Sequence, residues 1–204
     1  MARPREFDID EALERAMNVF WTKGYEGASL QDLLDAMNIA RGSLYKAFQD
    51  KHSVYLAALD QYDRTEIQRA VDVLRDRSAG DGAARIHRFL EDARAAVIQR
   101  HDRRGCFLCN AAVDRAPMDA GIQAKVLAMM KRMERGVAAA LNECAQPAHW
   151  PAKRRAQAAL TLTNAYVGLR VLARSGFPPK DLAAVIRTTM QGCGLMMNDR
   201  GQAA

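Results

Sequence analysis

With 204 residues, 49% hydrophobic and 26% charged, the chain has the composition of a folded globular protein with room for one large or two small domains. No apolar run approaches the ~18–20 residues a membrane span needs, "MARPREFDID" is not a secretory signal, and four cysteines without framework spacing fit a reducing compartment. A cytoplasmic protein with no membrane partner is therefore expected. The net charge is +6, yet residues 1–60 hold 7 Lys/Arg against 10 Asp/Glu, a net of −3. If that part binds nucleic acid, it does so through a few placed cations: Arg3, Arg5, Arg41, Lys46 and Lys51.

The first helix is signalled by Asp8 with Glu11 three residues on, an Asp version of the capping box. Ile9, Ala12, Leu13, Ala16, Met17 and Phe20 follow at helical spacing, and Gly24 stands where a left-handed C-cap belongs. Ser29 with Asp32 opens a short second helix anchored by Leu30, Leu33 and Leu34. It ends near Asn38, the best non-glycine residue for a left-handed turn. The third helix, roughly 40–47, turns Leu44 and Phe48 inward and Arg41, Ser43, Tyr45 and Lys46 outward. Asp50 then caps a long fourth helix running to "SAGDG" at 78–82. Phe20, Leu33, Ile39, Leu44 and Phe48 make one small shared core. The turn of three or four residues between helices two and three is the helix-turn-helix signature. The third helix thus holds on by its inner face and offers its outer face to a duplex.

The second half is also helical. A fifth helix covers roughly 83–100, "HDRRG" interrupts, and a sixth runs from about Cys106 to Arg115, stopped by Pro117. The seventh carries Ile122, Val126, Met129, Met133, Val137, Leu141 and Cys144 in a near-heptad stripe. After "QPAHWPA" the eighth, about 153–174, is apolar or small over most of its circumference, which predicts burial on more than one side. The ninth follows "GFPPKD" with Leu182, Val185, Ile186, Met190, Cys193 and Met197. The expectation is an all-α protein of about nine helices. Residues 1–50 would form a helix-turn-helix domain, and 51–204 a helical ligand-binding and dimerisation domain.

The stretches "PREFD", "ALERAMNVFWTKGYEGASLQDL" and "ARGSLYKAFQDK", with the long helix behind them, resemble the TetR family of one-component bacterial transcription regulators. "RGCFLCNAA" is similar to one branch of that family. The close match covers about 60 residues. The resemblance implies a homodimer closed by the last two helices, a palindromic double-stranded DNA operator and a small-molecule effector. It also implies roles. Ser29, Tyr45 and Lys51 would contact phosphates, and Arg41, Gly42 and Ser43 would lie at the groove, with Gly42 allowing close backbone approach. Ala47 departs from the polar residue often found there and offers only a methyl. Arg41 and Ser43 are left as the base readers.

Each of these residues has a plainer role beside the functional one. Tyr45 is either a core aromatic or a DNA contact; Leu44 and Phe48 already supply the core, which favours DNA. Arg3 and Arg5 are either a free tail or an arm entering the minor groove. Lys46 is a solvated or phosphate-facing charge. Cys106 and Cys109 form a CxxC: inert packing, a thiol sensor and a metal site are all open, although no second CxxC or His pair completes a zinc set. The helix N-terminus and Arg103/Arg104 would lower the Cys106 thiol pKa. Phe107, Asn110, Met129, Met133, Asn164 and Tyr166 are candidates for an effector pocket, against core packing and internal hydrogen bonding. Leu160, Val167, Val171, Val185, Ile186 and Met190 are candidates for the dimer interface, with Arg170 and Arg174 at its edge.

The sequence carries no glycine-rich phosphate loop, no paired carboxylates with helix-spaced partners and no Ser/His/Asp arrangement, so neither an enzyme nor a cofactor or metal is expected. The function expected is a DNA-binding regulator, a repressor released by a small effector. Three rivals remain: a redox or electrophile sensor using Cys106 and Cys109, a cysteine-dependent enzyme pairing Cys106 with His101, and an interaction dimer that has lost DNA binding.

Overall fold

In the computed structural model, which describes residues 8–98, 104–144 and 149–195, regular structure is helical throughout. Helix α1 spans Ile9–Gly27. The Asp8 carboxylate accepts the N–H groups of Asp10 and Glu11 at 2.9 and 3.2 Å, satisfying two of the donors a helix start leaves open. The expected return bond from Glu11 is replaced by an ion pair with Arg15 at 2.5 Å. Gly24 does take positive φ (74°), but as a kink inside the helix, which resumes to Gly27. The kink is useful: the next N–H, that of Tyr25, donates to Asp114 at 3.3 Å.

Helix α2, Leu30–Met37, starts on a complete Ser29/Asp32 capping box and stops at Asn38 in the left-handed region, φ 54° and ψ 48°. Helix α3, Arg41–Phe48, is held by buried Leu44 and Phe48. Phe20 and Leu33 share that core and Ile39 packs at its edge. Asp50 accepts the Ser53 N–H at 2.7 Å to open α4. Helix α4 runs Lys51–Tyr62, widens into a π turn over Asp63–Ile67 and continues as Gln68–Arg75. The π turn had no sequence signal. Arg132 braces it, donating to the Asp63 carboxylate at 2.7 Å.

The remaining helices are α5, Gly82–Ile98; α6, Phe107–Asp114; α7, Ala120–Leu141; α8, Ala152–Arg174; and α9, Pro179–Gly192. The count among the described residues is nine, with α4 taken as one helix. Every member of the α7 stripe from Ile122 to Cys144 is buried. Arg85 on α5 is buried too, at 2% exposure, and it is fully engaged. It donates to the Asp81 and Leu74 carbonyls and to Glu143 at 2.7 Å, and Glu143 also binds Arg77. Within one chain, α8 buries Leu162, Leu169 and Ala173 but leaves Leu160 58% and Val171 50% exposed. Helix α9 packs on α8 and α5 through Leu182, Ile186 and Met190, all buried. Arg3, Arg5, His101, Arg103 and Met197 lie outside the described residues.

The start of α5 lies against the end of α7 so closely that a Cβ on Gly82 would fall 1.9 Å from the Ala140 carbonyl oxygen. Neither backbone can yield cheaply. Gly82→Ala should lower stability by about 1–3 kcal/mol, the range of overpacked cores. Urea denaturation measures it, with Gly192→Ala, whose Cβ meets nothing within 4 Å, as the unaffected control.

Candidate DNA-reading face and adjoining cleft

Helix α3 presents a polar outer face because only two of its eight residues are buried. Arg41, Gly42, Lys46 and Ala47 are exposed, Ser43 is half-buried, and Tyr45 is 45% exposed. The Tyr45 hydroxyl therefore has solvent access, and the core reading of this side chain fails. Arg41 lies one turn before Tyr45, its guanidinium carbon 5.9 Å over the ring centroid, so the two side chains stand together on the outer face. A Cβ on Gly42 would meet nothing within 4 Å. Packing inside the chain does not require glycine there; only an outside surface would.

Ser29 is exposed, and its oxygen accepts the Asp32 N–H in the α2 cap, leaving its O–H to donate outward. The Lys51 ammonium sits 4.5 Å from the Tyr25 ring centroid, which fixes a long side chain beside α3. Next to it, His52 pairs with Asp119 at 2.7 Å, tying the α4 start to the α7 start. The sequence held no signal for that tie. The acidic excess of residues 1–60 does not fall on α3, which has no acid of its own. Asp8, Asp32 and Asp50 serve as helix caps, and Asp32 also binds Lys23 at 2.6 Å.

Away from α3 in sequence, the kinked end of α1 meets α6 and α8 around a cleft of about 660 Å³. Cys106, at the cap position of α6, and Cys109 line it and are both buried free thiols. The Tyr62 hydroxyl is 3.4 Å from the Cys106 sulfur. The Cys106 thiol is held below the ordinary thiol range. A hydrogen bond from Cys109 is the main cause; the Arg170 charge and the Tyr62 hydroxyl add to it, and burial opposes it. The same hydrogen bond and burial push Cys109 up. Burial pushes Cys144 up to about 12. Among the described residues no cluster of three His, Cys, Asp or Glu is placed to hold a metal ion.

The six residues expected to line an effector pocket do not gather around one space. Phe107 is fully buried in an aromatic cluster with Trp21, Tyr55 and Tyr62, and Met129 and Met133 are core. Tyr166 stacks on Phe89 with centroids 4.3 Å apart. Asn164 is exposed in the single chain. Asn110 alone reaches the cleft, donating to the Arg104 carbonyl and accepting from Arg174 at 2.6 Å. Arg170 corrects the sequence in another way. It is not at a bundle edge but 6% exposed, lining the cleft and donating to the Gly105 carbonyl at 2.7 Å. Its signal was there to read: one permanent charge inside "YVGLRVLA".

Residues 12–58 match the family model described as bacterial regulatory proteins, tetR family. The chain is 34% identical over 119 residues to the uncharacterized HTH-type transcriptional regulator YezE of Bacillus subtilis, covering 58% of this chain and 60% of that one. It is 32% identical over 137 residues to the HTH-type transcriptional repressor ComR of Escherichia coli, covering 65% and 62%. The matched segments thus span about six-tenths of these relatives' length. Among solved structures, a cysteine mutant of the TetR family transcriptional regulator CifR, complexed with 26bp double-strand operator DNA, superposes with a TM-score of 0.79. The identity is 30%, over 93% of this chain and 98% of that chain.

Proposed function

This chain belongs to the TetR family of bacterial regulatory proteins, and from that membership we propose that it is a cytoplasmic, homodimeric repressor that binds a palindromic operator and leaves it when a small molecule binds the larger domain. The observation that carries the proposal is the outer face of α3: an Arg41–Tyr45 unit and a glycine that nothing in the protein requires. In this reading residues 1–50 are the DNA-reading unit. Arg41 and Ser43 read bases, and Gly42 lets the backbone approach. Ser29, Tyr45, Lys46 and Lys51 hold phosphates, and Arg3 and Arg5 follow the minor groove. ComR and CifR, by their names, are a repressor and an operator-bound regulator, which supports repression here.

For the dimer, Leu160 and Val171 supply the exposed apolar surface, with half-buried Val167 and Val185 around them. Ile186 and Met190 are already buried within one chain and back the interface rather than form it.

A second reading of the signal rests on Cys106. Its thiol is held below the ordinary range, which favours the thiolate that oxidation or alkylation needs, at a side chain that is buried in the free chain.

Three outcomes follow from these proposals. Sequences selected from random DNA should be two-fold symmetric. Tyr45→Ala should weaken binding to all of them, whereas Arg41→Ala should also relax one base position by ~1–3 kcal/mol; a selected pool without symmetry sinks the repressor reading.

Val171→Glu should give folded monomers in sedimentation, because the residue is half exposed and can tolerate charge in the free chain. Ile186→Glu should unfold instead.

For the thiol, inactivation of the DNA complex by iodoacetamide should rise with pH through a midpoint below the ordinary thiol range. The sign follows from thiolate being the nucleophile and Cys106 losing its proton early. The effect should vanish in Cys106→Ser; equal sensitivity of that variant rules the thiol out as receiver.

A further inference from the structure

Resting on the reading of this chain as an effector-released repressor, we propose that the cleft between α1, α6 and α8 is the effector site. Its occupant is a small organic acid, with the carboxylate on Arg170 and the apolar body along Trp21 and Val113.

The proposal starts from two donors without acceptors. Arg170 is 94% removed from solvent by its 6% exposure, and its Nε has no hydrogen-bond partner. Trp21 is buried as well, and its indole N–H is equally unpartnered. Both side chains line the same cleft. An unpartnered buried donor costs about 1–3 kcal/mol, and more when charged. Taking a guanidinium out of water costs several kcal/mol unless an anion compensates. The hydrogen bond that Arg170 makes within the protein goes to the Gly105 carbonyl; Cys106 and Glu66 act on its charge, and neither bonds its Nε.

The other charges of the cleft are already engaged. Lys23 binds Asp32, Arg174 binds Asn110, and Glu26 binds Arg115 at 2.8 Å. Asp114 accepts the Tyr25 N–H. The unpartnered Arg170 Nε–H and Trp21 indole N–H belong to two side chains that line one cleft, and the complement of a cation and an N–H is an acceptor-rich anion. A carboxylate matches the planar fork of a guanidinium. Between these polar groups and beside Thr22 and Ser175, an apolar strip runs from Trp21 to Val113, and it gives an apolar body a place to lie. About 660 Å³ is an ordinary size for a small-ligand site. Cys106 stands at the same guanidinium and shares its charge; an arriving carboxylate competes with the thiolate, so occupancy makes Cys106 less reactive.

The cleft is placed to act on DNA reading. Trp21 belongs to α1, and its ring meets Tyr62 edge-on at 5.1 Å. Tyr62 is the last residue before the π turn of α4. A ligand that seats against Trp21 acts as an effector only by favouring one α1–α4 arrangement over another, as any effector must.

The test uses the full chain without DNA, titrated calorimetrically with benzoate and with its neutral counterpart benzamide. Benzoate should bind about tenfold tighter, the worth of a charge-assisted hydrogen bond. It should slow iodoacetamide alkylation of Cys106, which locates the site. Arg170→Lys, which keeps the charge but loses the fork, should remove most of the preference. If circular dichroism shows that variant unfolded, Trp21→Phe replaces it and should weaken benzoate alone. Equal binding of the two probes, unchanged Cys106 alkylation, or a folded Arg170→Lys that binds benzoate like the wild type would overturn the site. Gel shift separates the two layers of the argument. Benzoate bound at the cleft with no release of DNA would overturn its role as effector site, while a protein that never binds symmetric DNA would overturn the repressor reading beneath it.

Discussion

The aromatic cluster between α1, α4 and α6 is the contact on which the rest of the arrangement depends. Phe20 meets Tyr55 edge-on at 4.9 Å, Tyr55 meets Phe107 at 5.5 Å, and Phe107 meets Tyr62 and Trp21. Each such pair adds about 0.5–1.5 kcal/mol beyond the area it buries. More important is what they join. Phe20 and Trp21 belong to α1, Tyr55 and Tyr62 to the long helix α4, and Phe107 to α6, which Cys106 caps. The buried residues form one continuous cluster across the boundary expected at residue 50. A change at α6 therefore reaches α1 through packed rings rather than across a hinge, and close-packed interiors move between discrete arrangements.

Two buried arginines make the same point about charge by contrast. Arg85 is closed on every side: two carbonyls, then Glu143, itself shared with Arg77. Such a group is structural, because nothing is left for a ligand to satisfy. Arg170 is buried nearly as deeply, yet it meets one carbonyl and keeps an unpartnered Nε beside a thiol. Buried polar groups are almost always satisfied. Arg170 departs from that rule at a side chain that lines the cleft, where Arg85 does not.

Local chemistry was legible in the sequence; long-range chemistry was not. The caps at Asp8, Ser29, Asn38 and Asp50 fall where short-range spacing put them, because a cap depends on residues three or four apart. The α7 stripe is buried as its period required. Periodicity, however, reports which face is covered and not what covers it. Phe107, Met129 and Met133 were on the covered face, and their neighbours turned out to be rings and core rather than a cavity. Asn164 failed oppositely: its apolar neighbours on α8 suggested burial, but that side of the helix is open in one chain. Gly24 was placed correctly for positive φ and wrongly as an end, since Asp114, some ninety positions on, takes the N–H that the kink releases.

The same limit hides how firmly the α1–α4 segment is anchored to the rest of the chain. Helix α4 is held at its start by two ties of different kinds. His52 is bound to Asp119 on the α7 side, and Lys51 lies on Tyr25 of α1. Beyond Tyr62 the helix is braced again, where Arg132 of α7 binds Asp63. Between these points the helix is regular, and at the second it carries the extra residue of a π turn. Such turns interrupt the regular ladder, which makes them places where a helix adjusts its direction with little loss of hydrogen bonding. A displacement of α3 that preserves both ties must then carry α1, α4 and the start of α7 together as one body. The π turn lies beside Tyr62, whose hydroxyl meets the Cys106 sulfur, and Arg132 pins it from the α7 side, so the body and the helix that follows it are joined through packed and paired groups.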